Sequence, residues 1–271
     1  MIMAHPNTLI FLHIPKTAGS TTRGILEMNY RKDERFLVRE MWKDNPNFKS
    51  LTDTERARIK LLYGHMGFGL HELFNHSDIE YFSLLRPVVP RIISLYEHIL
   101  RFPDHHFANQ MTAHRYSLEE LFTKAKHPAF DNCQVRMLSG NMHAPFGAIT
   151  SKDLEQAISN IEQYFPIVGI QERFDEFVLL LQQRYKWKIP YYRRLKVNRA
   201  PSRYQPDAAT LELITTYNQQ DQELYQYVSE RFEKQLGQSP EILQKLPRYR
   251  KRNSYFSKLM NALPFVAKPD Q

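Results

Sequence analysis

In Leu9-Ile10-Phe11-Leu12-His13-Ile14-Pro15-Lys16-Thr17-Ala18-Gly19-Ser20-Thr21-Thr22 an apolar run gives way within a few residues to a turn and then to a hydroxyl-rich helix start. Residues 9–12 suit a strand buried on both faces. Pro15 and Gly19 punctuate the turn, and Ser20, Thr21 and Thr22 can cap a helix or donate to phosphate oxygens. A helix start offers unpaired N–H groups and the positive end of the helix dipole, so it attracts anions; Lys16 adds a full charge beside it. Two readings stay open on these residues alone, an ordinary strand–turn–helix and a nucleotide-phosphate cradle. The Walker loop is excluded, because its lysine follows its last glycine and Lys16 precedes Gly19 by three. An Mg²⁺-dependent NTPase also uses an aspartate ending a strand, where the third apolar strand here ends in Arg86.

Outward from this segment, apolar runs at 8–13, 60–63, 81–85 and 166–170 predict buried strands. Helical spacing follows each, over 20–29, 67–74, 89–101 and 174–185. A helical insertion is expected over 117–164 and a long helix over 207–235. This alternation predicts an α/β fold, a mostly parallel sheet of about four to five strands flanked by helices.

At 271 residues, 42% hydrophobic and 24% charged, the chain suits one soluble core with appendages. The longest apolar runs, 9–12 and 177–181, fall far short of the roughly 20 residues that span a bilayer. His5, Pro6 and Asn7 interrupt what would be a secretory signal. Cys133 is the single cysteine, so no intrachain disulfide forms, and a cytoplasmic location is expected. Of the formal charge of +8, residues 240–271 carry +5 and the other 239 residues +3. The basic character is therefore a property of the tail. The expected organisation is an α/β domain over 1–236 and a basic C-terminal extension over 237–271. In that extension Arg248-Tyr249-Arg250-Lys251-Arg252 precedes Tyr255, Phe256, Leu259, Met260 and Leu263 on one helical face. Packing or disorder is favoured for it over contact with an anionic membrane surface.

Pro15-Lys16-Thr17-Ala18-Gly19-Ser20-Thr21-Thr22 after an apolar strand resembles the 5′-phosphosulfate loop of sulfotransferases that use 3′-phosphoadenosine 5′-phosphosulfate (PAPS). The form from His13 to Gly19 is similar to the carbohydrate branch, which includes the heparan sulfate 2-O-sulfotransferases. The resemblance implies a P-loop-like fold in which Lys16 contacts the bridging and sulfuryl oxygens. Thr17, Ala18, Gly19, Ser20 and Thr21 would wrap the 5′-phosphate. It also implies a 3′-phosphate site at an arginine ending a strand and a serine eight residues on, here Arg86 and Ser94, with Arg91 matching a second arginine of the pattern. Pro87-Val88 stand where the family commonly has Asp-Pro.

Tyr63-Gly64-His65 closes the second strand. A histidine there suits general-base work, with an unperturbed pKa of about 6.5. The run resembles the Gly-His segment of the uronyl 2-O-sulfotransferases, which implies that His65 is the base; Tyr63 replaces a further family histidine. Of the eleven histidines, His13, His71, His98, His105, His106 and His143 read as structural or solvated. Residues 131–138 resemble a helix lining the acceptor cleft. On that likeness Asn132, Gln134 and Arg136 face substrate, with a solvated helix face an equal alternative. Lys196, Asn198, Arg199 and Arg203 fall where the family has a lid over the 3′-phosphate and adenine. The segment 165–177 reads as structural, with Gly169 permitting close packing.

The resemblance spans roughly residues 8–235 and implies sulfuryl transfer from PAPS to a hydroxyl acceptor, a carbohydrate first, with His65 and Lys16 catalytic. No metal and no nucleic acid partner are expected. A P-loop-like nucleotide kinase and a non-catalytic polyanion-binding module are the alternatives.

Overall fold

The apolar runs become the interior of one sheet. The computed structural model describes residues 6–39, 45–102, 116–193 and 204–262. Strands β1 (Thr8–Leu12), β2 (Arg35–Val38), β3 (Leu61–Gly64), β4 (Ile79–Leu85) and β5 (Ile167–Ile170) pair in parallel in the order β2-β3-β1-β4-β5. Every residue of β1, β3 and β5 is buried, as an all-parallel sheet covered on both faces requires. Register aligns Leu12 with Gly64 and Phe11 with Phe82.

Strand β2 was not legible in the sequence. It opens on a charged arginine, lies at the sheet edge and buries only Val38 fully. Helix α1 (Gly19–Asn29) connects β1 to it, and α2 (Val88–Arg101) follows β4. The helix expected over 67–74 is reduced to one 3₁₀ turn, Leu70–Leu73. The cause is Gly69, whose φ of 118° lies outside the helical range.

Between α2 and β5 the helical insertion supplies α3 (Cys133–Ser139) and α4 (Ser151–Tyr164). Helix α5 (Phe174–Tyr185) lies on β5, where a Cβ on Gly169 would come within 2.3 Å of the Phe177 ring. The close packing expected at Gly169 is therefore present.

The long helix expected over 207–235 is two, α6 (Ala208–Thr216) and α7 (Gln219–Gly237). Asn218 breaks it. Its buried amide donates to the carbonyls of Phe130 (2.8 Å) and Ile214 (2.9 Å) and accepts from the N–H of Asn132 (3.0 Å). Asp221 then accepts the first N–H groups of α3, from Gln134 at 3.1 Å and Val135 at 2.8 Å. Burial raises the Asp221 carboxyl, and the nearby Arg91 opposes that.

Helix α8 (Pro240–Ala262) docks on the preceding elements. Tyr249 donates to the Pro190 carbonyl, Asn253 accepts the Tyr192 N–H at 2.7 Å, and Arg250 pairs with Asp175 at 2.9 Å. The described part of the basic tail is thus packed. No helix among the described residues is long and apolar enough to cross a membrane.

Candidate active site

The chain runs from β1 outward to β2 and back through β3, then crosses to β4 and β5 on the other side. The carboxyl ends of β1 and β4 therefore flank the switch point, where open α/β sheets bind ligands, and β3 lies beside β1. The loop leaving β1 sits there. Lys16 and Ala18 both take left-handed backbone angles, φ 71° and 65°. Ala18 is the N-cap of α1 and has no side-chain oxygen to offer. Its carbonyl accepts from Thr21 and Thr22 at 3.0 and 3.1 Å. Among the described residues, no acceptor meets the N–H groups of Ala18, Gly19 and Ser20. Three converging amides remain at the positive end of a helix.

The hydroxyls behave differently from the sequence expectation, because none caps α1. Thr17 is buried and donates to the Ile14 carbonyl at 2.8 Å, which holds the turn shut. Thr22 bonds back to Ala18 at 3.3 Å. Ser20 stays partly exposed and Thr21 is buried.

Arg86, one residue beyond β4, reaches this loop. Its Nη1 donates to the Lys16 carbonyl at 3.2 Å, so two segments 70 residues apart meet. Its backbone is clasped by the Gln134 amide, which accepts the Arg86 N–H and donates to its carbonyl, both at 3.0 Å. Burial lowers the Arg86 pKa, with Glu172 opposing. Among the described residues the guanidinium forms no ion pair. A partly buried cation without a carboxylate partner suits an anion.

His65 stands at the end of β3. Its N–H donates to the Val38 carbonyl at 3.1 Å, and Nδ1 lies 2.8 Å from the His13 carbonyl. A carbonyl only accepts, so Nδ1 bears the proton and the neutral ring keeps its lone pair on Nε2. Gly64 permits this crossing: a Cβ there would lie 2.0 Å from the Val38 oxygen, and its φ is 134°. Tyr63 directs its hydroxyl away, donating to Glu27 at 2.9 Å, and Glu27 also pairs with Arg23 at 2.6 Å.

The His65 ring stacks on the His13 ring, centroids 4.2 Å apart and planes 27° apart. His13 in turn stacks on Phe11 (5.3 Å, 15°), and Phe11 on Phe82 (4.8 Å, 13°). A column of rings thus runs from the sheet's core to the site. His13, read from sequence as structural or solvated, belongs to that site.

Against this geometry, a family model described as galactose-3-O-sulfotransferase matches residues 3–256. The chain belongs to that family. It is an enzyme, a sulfotransferase of the carbohydrate branch. The match continues past residue 236 into α8. No curated protein matches the chain.

The remaining expected positions in this sulfotransferase divide clearly. Ser94 lies in the second turn of α2, partly buried. Arg91 is fully buried and donates to the Ala129 carbonyl, so it holds the insertion and not a ligand. Gln134 and Arg136 are fully buried and line no cleft, while Asn132, 5% exposed, borders a small pocket with Asp131, Gly147 and Tyr217. Arg136 pairs with buried Asp131 at 2.6 Å, Asn132 accepts from the Asp221 N–H at 3.0 Å, and Gln134 holds Arg86. Polar side chains carried inside need such partners, and these partners lie 5 to 89 residues away in sequence. Gln134 therefore serves the site through Arg86. Lys196, Asn198, Arg199 and Arg203 lie outside the described residues.

Proposed function

We propose that this sulfotransferase moves a sulfuryl group from PAPS to a carbohydrate hydroxyl, of galactose in the first instance. The supporting observation is the hydrogen bond from Arg86 to the Lys16 carbonyl, by which the two segments read as anion-binding meet. The residues present suit an adenosine nucleotide charged at both its 5′ and 3′ ends. The N–H groups of Ala18, Gly19 and Ser20 await an acceptor, and the Arg86 guanidinium forms no ion pair among the described residues. On this reading the loop from Lys16 to Thr21 holds the 5′ end. Thr17 contributes its backbone, because its hydroxyl is committed to Ile14. Arg86 and Ser94 hold the 3′-phosphate.

When bound, PAPS supplies the sulfuryl group and departs as 3′-phosphoadenosine 5′-phosphate. The chain's own groups do the rest. Lys16 and the loop amides neutralise negative charge on the oxygens that gain it in the transition state. His65 takes the acceptor's proton on Nε2, since Nδ1 already carries one toward His13. The sugar oxygen attacks in line, opposite the leaving oxygen. A proton is released for each sulfate ester formed.

Labelled PAPS offered with galactose-terminated glycans tests this directly. Transfer of label is expected, and Lys16→Ala is expected to reduce kcat about 10²- to 10³-fold, the loss seen when one preorganised charge contact is removed. Undiminished turnover in that variant, or no transfer by the intact chain, would overturn the proposal.

A further inference from the structure

We infer that His13 is the positioning residue for His65, a role resting on the proposed reading of His65 as the base. The strand register explains how they meet. Leu12 lies opposite Gly64, so the next residues of β1 and β3 emerge side by side. The backbone N–H of His13 donates to the Gly64 carbonyl at 2.9 Å, fixing one edge. His13 then holds His65 twice, by its carbonyl on Nδ1 and by its ring against the imidazole face. The first contact selects the tautomer; the second keeps the ring from swinging out of that hydrogen bond. Together they determine which nitrogen remains to accept a proton.

Glycine at position 19 is what makes room for this. A Cβ at Gly19 would fall 1.5 Å from Nε2 of His13 and 1.9 Å from Cε1. The ring therefore occupies the space a side chain would take, wedged between the first turn of α1, Phe11 and His65. This glycine is also the one in the phosphate loop. One residue thus serves two ends: it leaves its N–H toward the anion site and admits the ring that steadies the base.

Charge reinforces the arrangement. Burial lowers the His13 pKa, and a proton arriving on His65, together with the charges of Lys16 and Arg23, pushes in the same direction from β3, the loop and α1. His13 stays neutral while it supports its neighbour, and so does not compete for the acceptor's proton.

The test compares wild type, His13→Ala, His13→Phe and His65→Ala in PAPS-dependent transfer, with imidazole ¹⁵N spectra of His65 recorded on the same proteins. His13→Ala is expected to reduce kcat about 100-fold, the loss that a misplacement of about 1 Å brings at a reacting group. The KM for PAPS should stay close to wild type, and raising the pH should not restore the rate. Its His65 Nδ1–H resonance should broaden and exchange with solvent as the two tautomers mix. His13→Phe keeps the ring stack without a titrating group, so it should recover most of the rate and the wild-type spectrum. Wild-type kcat and an unchanged His65 spectrum in a folded His13→Ala protein would overturn the inference. So would failure of His13→Phe to restore either readout. Should the wild type transfer nothing from PAPS, the functional reading falls, while the His65 spectra still decide the positioning role.

Discussion

Replacing Arg86 with alanine separates a nucleotide site from two unrelated basic spots. The guanidinium is partly buried, lies 3.2 Å from the Lys16 carbonyl and forms no ion pair among the described residues. A hydrogen bond to a charged group contributes about 1.5–3 kcal/mol. At about 1.4 kcal/mol per factor of ten, its loss should weaken binding of 3′-phosphoadenosine 5′-phosphate about 10- to 150-fold. Adenosine 5′-phosphate lacks the 3′-phosphate, so its affinity should be unmoved by the same change. Calorimetric titration of both nucleotides into wild type, Arg86→Ala and Arg86→Lys measures this, with a thermal melt to establish folding. Lysine keeps the charge but loses the planar fork and should fall between the other two. Equal weakening of both nucleotides would mean that Arg86 acts by holding the Lys16 loop. No weakening of either would refute the convergence from which the function was argued.

Two further outcomes concern the scaffold. Gly64→Ala places a Cβ 2.0 Å from the Val38 oxygen at a φ of 134°, which should destabilise by about 3 kcal/mol or more and lower the thermal midpoint by about 10 °C; an unmoved midpoint would contradict the approach of β2 to this strand end. His127 is held down to about 4 by burial first and then by Arg136, and its Nδ1 accepts the Ala129 N–H. Because its folded value lies below the ordinary 6.5, the unfolded chain takes up a proton that the native ring refuses. Stability should therefore fall as pH drops from about 6.5 toward 4, by about 1–2 kcal/mol after allowing for the ring's partial exposure. Urea midpoints at pH 7, 6 and 5 should show a shallower decline in His127→Gln, and parallel curves for both proteins would refute the assignment.

Much of this was written in the linear chain. Residues 9–22 carried the central strand, the turn and the helix start, since apolar run, Pro15 and Gly19 each act locally. Arg86 stood out in the sequence at the end of the third apolar run. What escaped depended on contacts between distant segments. His13 resembles any other histidine until β1 and β3 are laid side by side with Leu12 opposite Gly64. Arg136, Gln134 and Asn132 looked like a polar helix face because their partners, Asp131, Arg86 and Asp221, are brought to them only by folding. The division of 207–235 had the same origin: Asn218 leaves the helical path to satisfy a carbonyl and an amide in the insertion.

The two left-handed residues of the loop have a consequence of their own. Lys16 and Ala18 each carry a Cβ in a conformation that disfavours one, at roughly 1 kcal/mol or more apiece. A free loop would relax, but this one is tethered to the central strand at one end and to a helix at the other. Glycine at 18 would relieve the strain and also let the amides of residues 18–20 wander. Alanine leaves them a single posture, already aimed when an anion arrives. The selectivity of the loop is thus settled during folding, and encounter with a ligand adds little further rearrangement.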